Sequence, residues 1–132
     1  VPKMTDWNDA MKAAIKTYNA EQEYYFAEGC YINELSNSID DPHVSIARVR
    51  LAPGKTTRWH YLKGTGERYV IQEGFGVVEI QGLPEKGVNA GDVVLIPPGA
   101  RQRICNTGAD DLVFLAICSP PFTADVYIDA DD

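Results

Sequence analysis

Several kinds of segment are missing from this 132-residue chain, and each absence removes a class of function. No apolar run approaches the roughly 18 residues that a membrane span requires. The start also lacks the charged-then-apolar layout of a secretion signal, so the expected location is the cytoplasm, with no membrane partner. Positive charge is scarce: 12 lysines and arginines stand against 19 acidic residues, a net charge of −7. A surface of that sign repels phosphate backbones and anionic lipid, which argues against a nucleic-acid partner. Cysteine is limited to Cys30, Cys105 and Cys118, which lack the close spacing of a zinc knuckle or redox motif and read as reduced core or half-buried residues. A glycine-rich phosphate loop, a serine nucleophile elbow and a close Cys-His pairing are all absent. No repeat, low-complexity tract or linker interrupts the chain.

What remains is ordinary globular composition, 45% hydrophobic and 23% charged, in a length that buries one core without disulfides. Trp7, Ala10, Met11, Ala14, Ile15 and Tyr18 follow 3-4 spacing and predict an N-terminal helix with one apolar stripe, Thr5 or Asp6 serving as N-cap. From residue 24 onward the pattern changes to short β-branched and aromatic runs over 24–26, 31–35, 44–51, 56–61, 68–72, 76–80, 92–96, 102–105 and 112–118. Turn clusters such as Ala52-Pro53-Gly54, Asn89-Ala90-Gly91 and Pro97-Pro98-Gly99 separate them. The expected class is all-β: eight or nine strands in an antiparallel, closed or double-sheet barrel with a short N-terminal helix. The corresponding division is a helical segment over 1–22 packing on the barrel, the barrel over 23–122, and an acidic tail over 123–132. Over the last stretch, 119–132, Phe122 and Tyr127 anchor the chain and 129–132 fray.

Two spacings carry the chemistry. The first runs from Gly54 through five residues to His60, one to Leu62, four to Glu67 and six to Gly74. The second runs from Gly91 through five residues to Pro97-Pro98-Gly99, then two to Gln102 and three to Asn106. Together they resemble the paired motifs of the cupin superfamily, small β-barrels in which two histidines and a glutamate of the first motif and one histidine of the second converge on a divalent metal. His60 and Glu67 stand where the resemblance wants them, whereas Leu62 replaces the second histidine and Gln102 the third. The resemblance implies a double-stranded antiparallel jelly-roll barrel with His60, Glu67 and Gln102 meeting near its centre. Strand parity then turns Thr56, Arg58, His60 and Leu62 inward together, and Glu67 with Tyr69.

Two readings of that centre stay open. In one, His60, Glu67 and Gln102 hold Mn²⁺, Fe²⁺, Ni²⁺ or Zn²⁺ completed by water, with Tyr69 or Glu34 as a further oxygen donor and no organic cofactor. In the other, the same groups satisfy one another by hydrogen bonds and no metal binds. Arg58 either binds an anionic ligand at the cavity mouth, beside Tyr69 and Gln102, or pairs with Glu67 or another carboxylate. The resemblance accordingly implies a barrel that takes a small polar or anionic metabolite. One version is a metal-dependent isomerase, lyase or dioxygenase in which Glu67 or His60 moves a proton. The alternative is a non-catalytic metabolite sensor with a degenerate site. Exposed strand edges and the apolar helix add the expectation of a homodimer, through sheet extension or exchange of N-terminal segments.

Overall fold

A computed structural model describes residues 11–27 and 29–131. Eleven strands account for the architecture: β1 (Tyr24–Phe26), β2 (Cys30–Ser36), β3 (Ser45–Leu51), β4 (His60–Leu62), β5 (Gly66–Glu73), β6 (Phe75–Ile80), β7 (Lys86–Asn89), β8 (Val93–Ile96), β9 (Gln102–Asn106), β10 (Leu112–Ser119) and β11 (Tyr127–Asp129). They form two sheets, one ordered β1-β2-β3-β10-β5-β8 and the other β11-β4-β9-β6-β7. Every strand pairing is antiparallel. This is the expected all-β double-sheet barrel.

The core lies between the sheets, because each strand turns alternate residues toward its opposite number. Strand β10 alternates buried and half-buried residues along Phe114–Cys118 and supplies Phe114 and Leu112 to a cluster with Leu51, Ile71 and Ile104. Burying side chains of this size stabilises by about 1.5–3 kcal/mol each. Gly74 makes the reversal from β5 to β6 possible. Its φ is +88°, and a Cβ there would lie 2.7 Å from the Asp111 carbonyl oxygen.

Two strands escape the sequence pattern. β7, with sequence Lys-Gly-Val-Asn, has a single apolar side chain, and β11 follows a proline-rich stretch. The second of these corrects the expected tail. Tyr127, Ile128 and Asp129 pair with Leu62, Tyr61 and His60, so the barrel continues past residue 122 and Asp129 is fixed in a sheet.

The helix is also corrected over the part that is described. Residues 11–19 have no regular secondary structure, and only a 3-10 turn, Ala20–Gln22, follows, capped by the Asn19 side chain. Trp7 and Ala10 lie outside the described residues. Met11 and Tyr18 are exposed and Ile15 is 98% exposed, so the described part of the stripe covers nothing on this barrel. A short helix persists in water only where packing buries its apolar face. Here point contacts hold the segment instead: the Lys12 amide donates to the Asp40 carbonyl and the Asn33 side chain donates to the Asn19 carbonyl. Among the described residues no α-helix occurs, and no helix is long and apolar enough to cross a membrane.

Candidate functional site

The barrel centre is built from three strands in two sheets. β4 and β9 place His60 directly opposite Gln102 in one sheet, while β5 carries Glu67 and Tyr69 inward from the other. All four side chains are buried, Gln102 completely. The expected convergence of His60, Glu67, Tyr69 and Gln102 therefore occurs, and it joins the two sheets through polar contacts. Leu62, also buried, faces the same cavity two residues beyond His60.

Hydrogen bonding fixes the roles of these groups. His60 Nδ1 lies 2.7 Å from the Arg58 carbonyl oxygen. A carbonyl only accepts, so Nδ1 carries a proton and Nε2 is the ring nitrogen that points inward. Gln102 Nε2 sits 2.7 Å from that Nε2 and 3.1 Å from Glu67 Oε1. An amide NH₂ has two protons, and these two acceptors use both. The Tyr69 hydroxyl lies 3.2 Å from Gln102 Oε1 and 2.9 Å from Gln102 Nε2, and it donates to the amide oxygen. The amide nitrogen is turned toward the Glu67 carboxylate, which accepts, and the amide oxygen toward the Tyr69 hydroxyl, which donates.

That geometry bears directly on a metal. A divalent ion would take the His60 Nε2 lone pair at about 2.0–2.1 Å and a Glu67 oxygen at a similar distance. The amide nitrogen of Gln102, a donor and not a ligand, already occupies the direction of that lone pair. Leu62 offers no donor atom. Among the described residues no group of three or more His, Cys, Asp or Glu side chains could hold an ion. The side chains as arranged leave one nitrogen and one carboxylate, and do not fit a resident metal.

Arg58 departs from the parity expectation. Thr57 and His60 are both buried, an odd step that no regular strand permits, and residues 57–59 are outside any strand. The cause is Thr57: its hydroxyl accepts from the Ile104 amide at 3.0 Å and its own amide donates to the Ile104 carbonyl, which turns it inward. Arg58 is thereby turned outward, its side chain 44% exposed, with Nε 2.9 Å from Asp129 Oδ2. This hydrogen bond raises the guanidinium pKa and helps hold the Asp129 carboxyl below its ordinary range. The carboxylate that pairs with Arg58 is Asp129, not Glu67. What Arg58 contributes to the centre is its backbone carbonyl.

A pocket opens over the polar centre, with about 540 Å³ of empty space including its mouth. Its mouth is aromatic. The Phe26 ring meets Phe122 at 6.2 Å and Tyr127 at 5.1 Å, both nearly perpendicular, and Tyr127 stacks on His60 at 4.9 Å. The Phe122 backbone is clamped by Asn37, whose side chain donates to its carbonyl, and by Ser45, whose hydroxyl accepts from its amide. Glu34 reaches the same mouth. Sequence reasoning reached Glu34 as an oxygen donor but not Phe26, Asn37 or Ser45, which carry no motif and converge only through the sheet order. Cys118 lies beside Glu67, its thiol 3.7 Å from Oε2. Burial and the neighbouring carboxylate push that thiol far above its ordinary pKa. It is an inert buried thiol, as are most core cysteines.

The described residues form an antiparallel double-sheet barrel with a buried His-Glu-Gln centre under a pocket. The chain is a member of the cupin family: the family model described as Cupin domain matches residues 47–118. An oxalate-binding protein of Thermotoga maritima is 39% identical over 71 residues, 54% of this chain and 58% of the relative, so the chain spans less than two thirds of that protein. A solved structure from Thermotoga maritima, described as a predicted oxalate decarboxylase, is 32% identical with a TM-score of 0.62, covering 68% of this chain and 79% of that one. KdgF from a Halomonas species has a TM-score of 0.74 over 86% of this chain and 98% of its own, at 14% identity, a likeness of fold alone.

Proposed function

We propose that this cupin takes a small polar organic molecule into its barrel and does so without a resident metal. The observation that carries the reading is the Gln102 amide nitrogen, 2.7 Å from the ring nitrogen that would otherwise ligate an ion. Gln102 supplies in hydrogen bonds what a metal supplies in coordination: it joins His60, Glu67 and Tyr69 across the two sheets. The pocket floor is then a fixed polar surface, and the aromatic mouth gives a ligand apolar walls. Between the two functional versions, the binding or sensing cupin is favoured, because metal-dependent isomerase, lyase or dioxygenase chemistry lacks a donor set here.

The test is metal content by inductively coupled plasma mass spectrometry. Untagged protein is purified without chelator, then offered Mn²⁺, Fe²⁺, Ni²⁺ and Zn²⁺. The expected result is far less than one ion per chain in both the wild type and Glu67→Gln, with binding gained in the double variant Leu62→His/Gln102→His. One ion per wild-type chain, lost in Glu67→Gln, overturns the proposal.

We also infer a homodimer through the β8 edge of the larger sheet. Val93 and Leu95 point outward from this strand with 58% and 67% exposure, an apolar edge that a second copy would cover. Light scattering giving one chain per particle refutes it.

A further inference from the structure

We infer that the ligand is an organic cation, a small molecule carrying an alkylated ammonium group. The inference rests on the ligand-binding reading above and adds the ligand's charge. Its basis is the make-up of the pocket wall. Among the described residues, the lining contains two carboxylates, Glu34 and Glu67, one imidazole, His60, and no lysine or arginine. Carboxylates in the lining thus outnumber side chains that can carry a positive charge. The nearest candidate for anion recognition, Arg58, is outside on Asp129. Arg48 pairs with Glu23 at 3.6 Å and does not line this pocket.

The aromatic content of the mouth points the same way. Tyr24, Phe26, Phe122 and Tyr127 all line the pocket, with Phe26 nearly perpendicular to Phe122 and Tyr127 and one face of Tyr127 covered by His60. Aromatic faces attract a cation through the ring quadrupole, and most strongly when the cation is poorly hydrated, as an alkylated ammonium is. A dianion in the same place would lose its hydration against two like charges and an electron-rich wall. The oxalate in the name of the Thermotoga relative is therefore not the ligand chemistry that this lining suits.

The experiment uses three probes in parallel with the full chain. Choline carries the alkylated ammonium, 3,3-dimethylbutan-1-ol is its neutral carbon isostere, and oxalate is the dianion. Binding is followed by NMR, through the ring signals of Phe122, Tyr127 and His60, and by calorimetry where affinity allows. Choline is expected to shift these signals and to bind at least about ten-fold more tightly than the neutral isostere, while oxalate leaves them unmoved. Glu34→Gln, an exposed mouth substitution compatible with folding, is expected to weaken choline about three- to ten-fold without changing the affinity for the alcohol. Equal or tighter binding of the neutral alcohol, or binding of oxalate at the same signals, overturns the cation inference while leaving the pocket reading in place. If none of the three probes moves the pocket signals, the ligand-binding reading fails and this inference falls with it.

Discussion

Replacing Gln102 by leucine tests whether hydrogen bonds hold the barrel centre. Leucine is close in size, so the change removes the amide without opening a large cavity. Three contacts are lost: the donors to His60 Nε2 and Glu67 Oε1, and the acceptor for Tyr69. A buried polar group left without its partner costs about 1–3 kcal/mol, more if charged. Two acceptors lose this donor, but both border the pocket, through which water can reach them and reduce the penalty. The expected loss is thus about 2–4 kcal/mol, a large share of the roughly 5–15 kcal/mol that stabilises a domain. Urea unfolding at neutral pH measures it, read as a fall in midpoint without change in slope. The companion variant His60→Phe/Gln102→Leu removes an acceptor along with its donor. It is expected to lose less than the sum of the two single changes, giving a coupling of about 1 kcal/mol or more. A Gln102→Leu loss below about 0.5 kcal/mol, the range of a surface substitution, would refute the reasoning.

Other consequences are open to measurement. Gly74→Ala should destabilise by about 2 kcal/mol or more, because the new Cβ meets the Asp111 carbonyl in a backbone region that favours glycine; a thermal midpoint unchanged from wild type counts against the turn assignment. Arg58→Ala should leave ligand affinity unchanged, since its side chain lies on Asp129 outside the pocket, and calorimetry with choline checks this. For Cys118 the folded thiol is raised above its unfolded value, so the folded chain keeps the proton that the unfolded chain loses. Its stabilising contribution is complete below the unfolded pKa of about 8.5 and falls as pH rises above it, by at most about 1.4 kcal/mol per pH unit. Unfolding of wild type and Cys118→Ala between neutral and alkaline pH should show a steeper decline in the wild type. Parallel declines would remove Cys118 from the account.

The amino-acid sequence determined the barrel and the positions that face its centre. Alternation of apolar residues along short strands and turn residues at fixed offsets are local properties of the chain. They survive whatever the strands later pair with, so His60 with Leu62 and Glu67 with Tyr69 were legible as sharing a face, while the place of Gln102 at the centre came from the resemblance to cupins. Tertiary structure decided the rest, because it depends on partners distant in sequence. Thr57 bonds to the backbone of Ile104 and breaks the period, which sends Arg58 outward to Asp129. The apolar spacing that extends over Met11, Ile15 and Tyr18 finds no surface to cover among the described residues, and without burial the helical period has no energetic consequence. β11 forms because β4 has an edge to offer, which a Tyr-Ile-Asp tripeptide cannot announce. The choice between an ion and an amide proton at His60 also lay beyond the sequence. It turns on which atom of Gln102 faces the imidazole, and the Glu67 carboxylate, which accepts, with the Tyr69 hydroxyl, which donates, turns the nitrogen there.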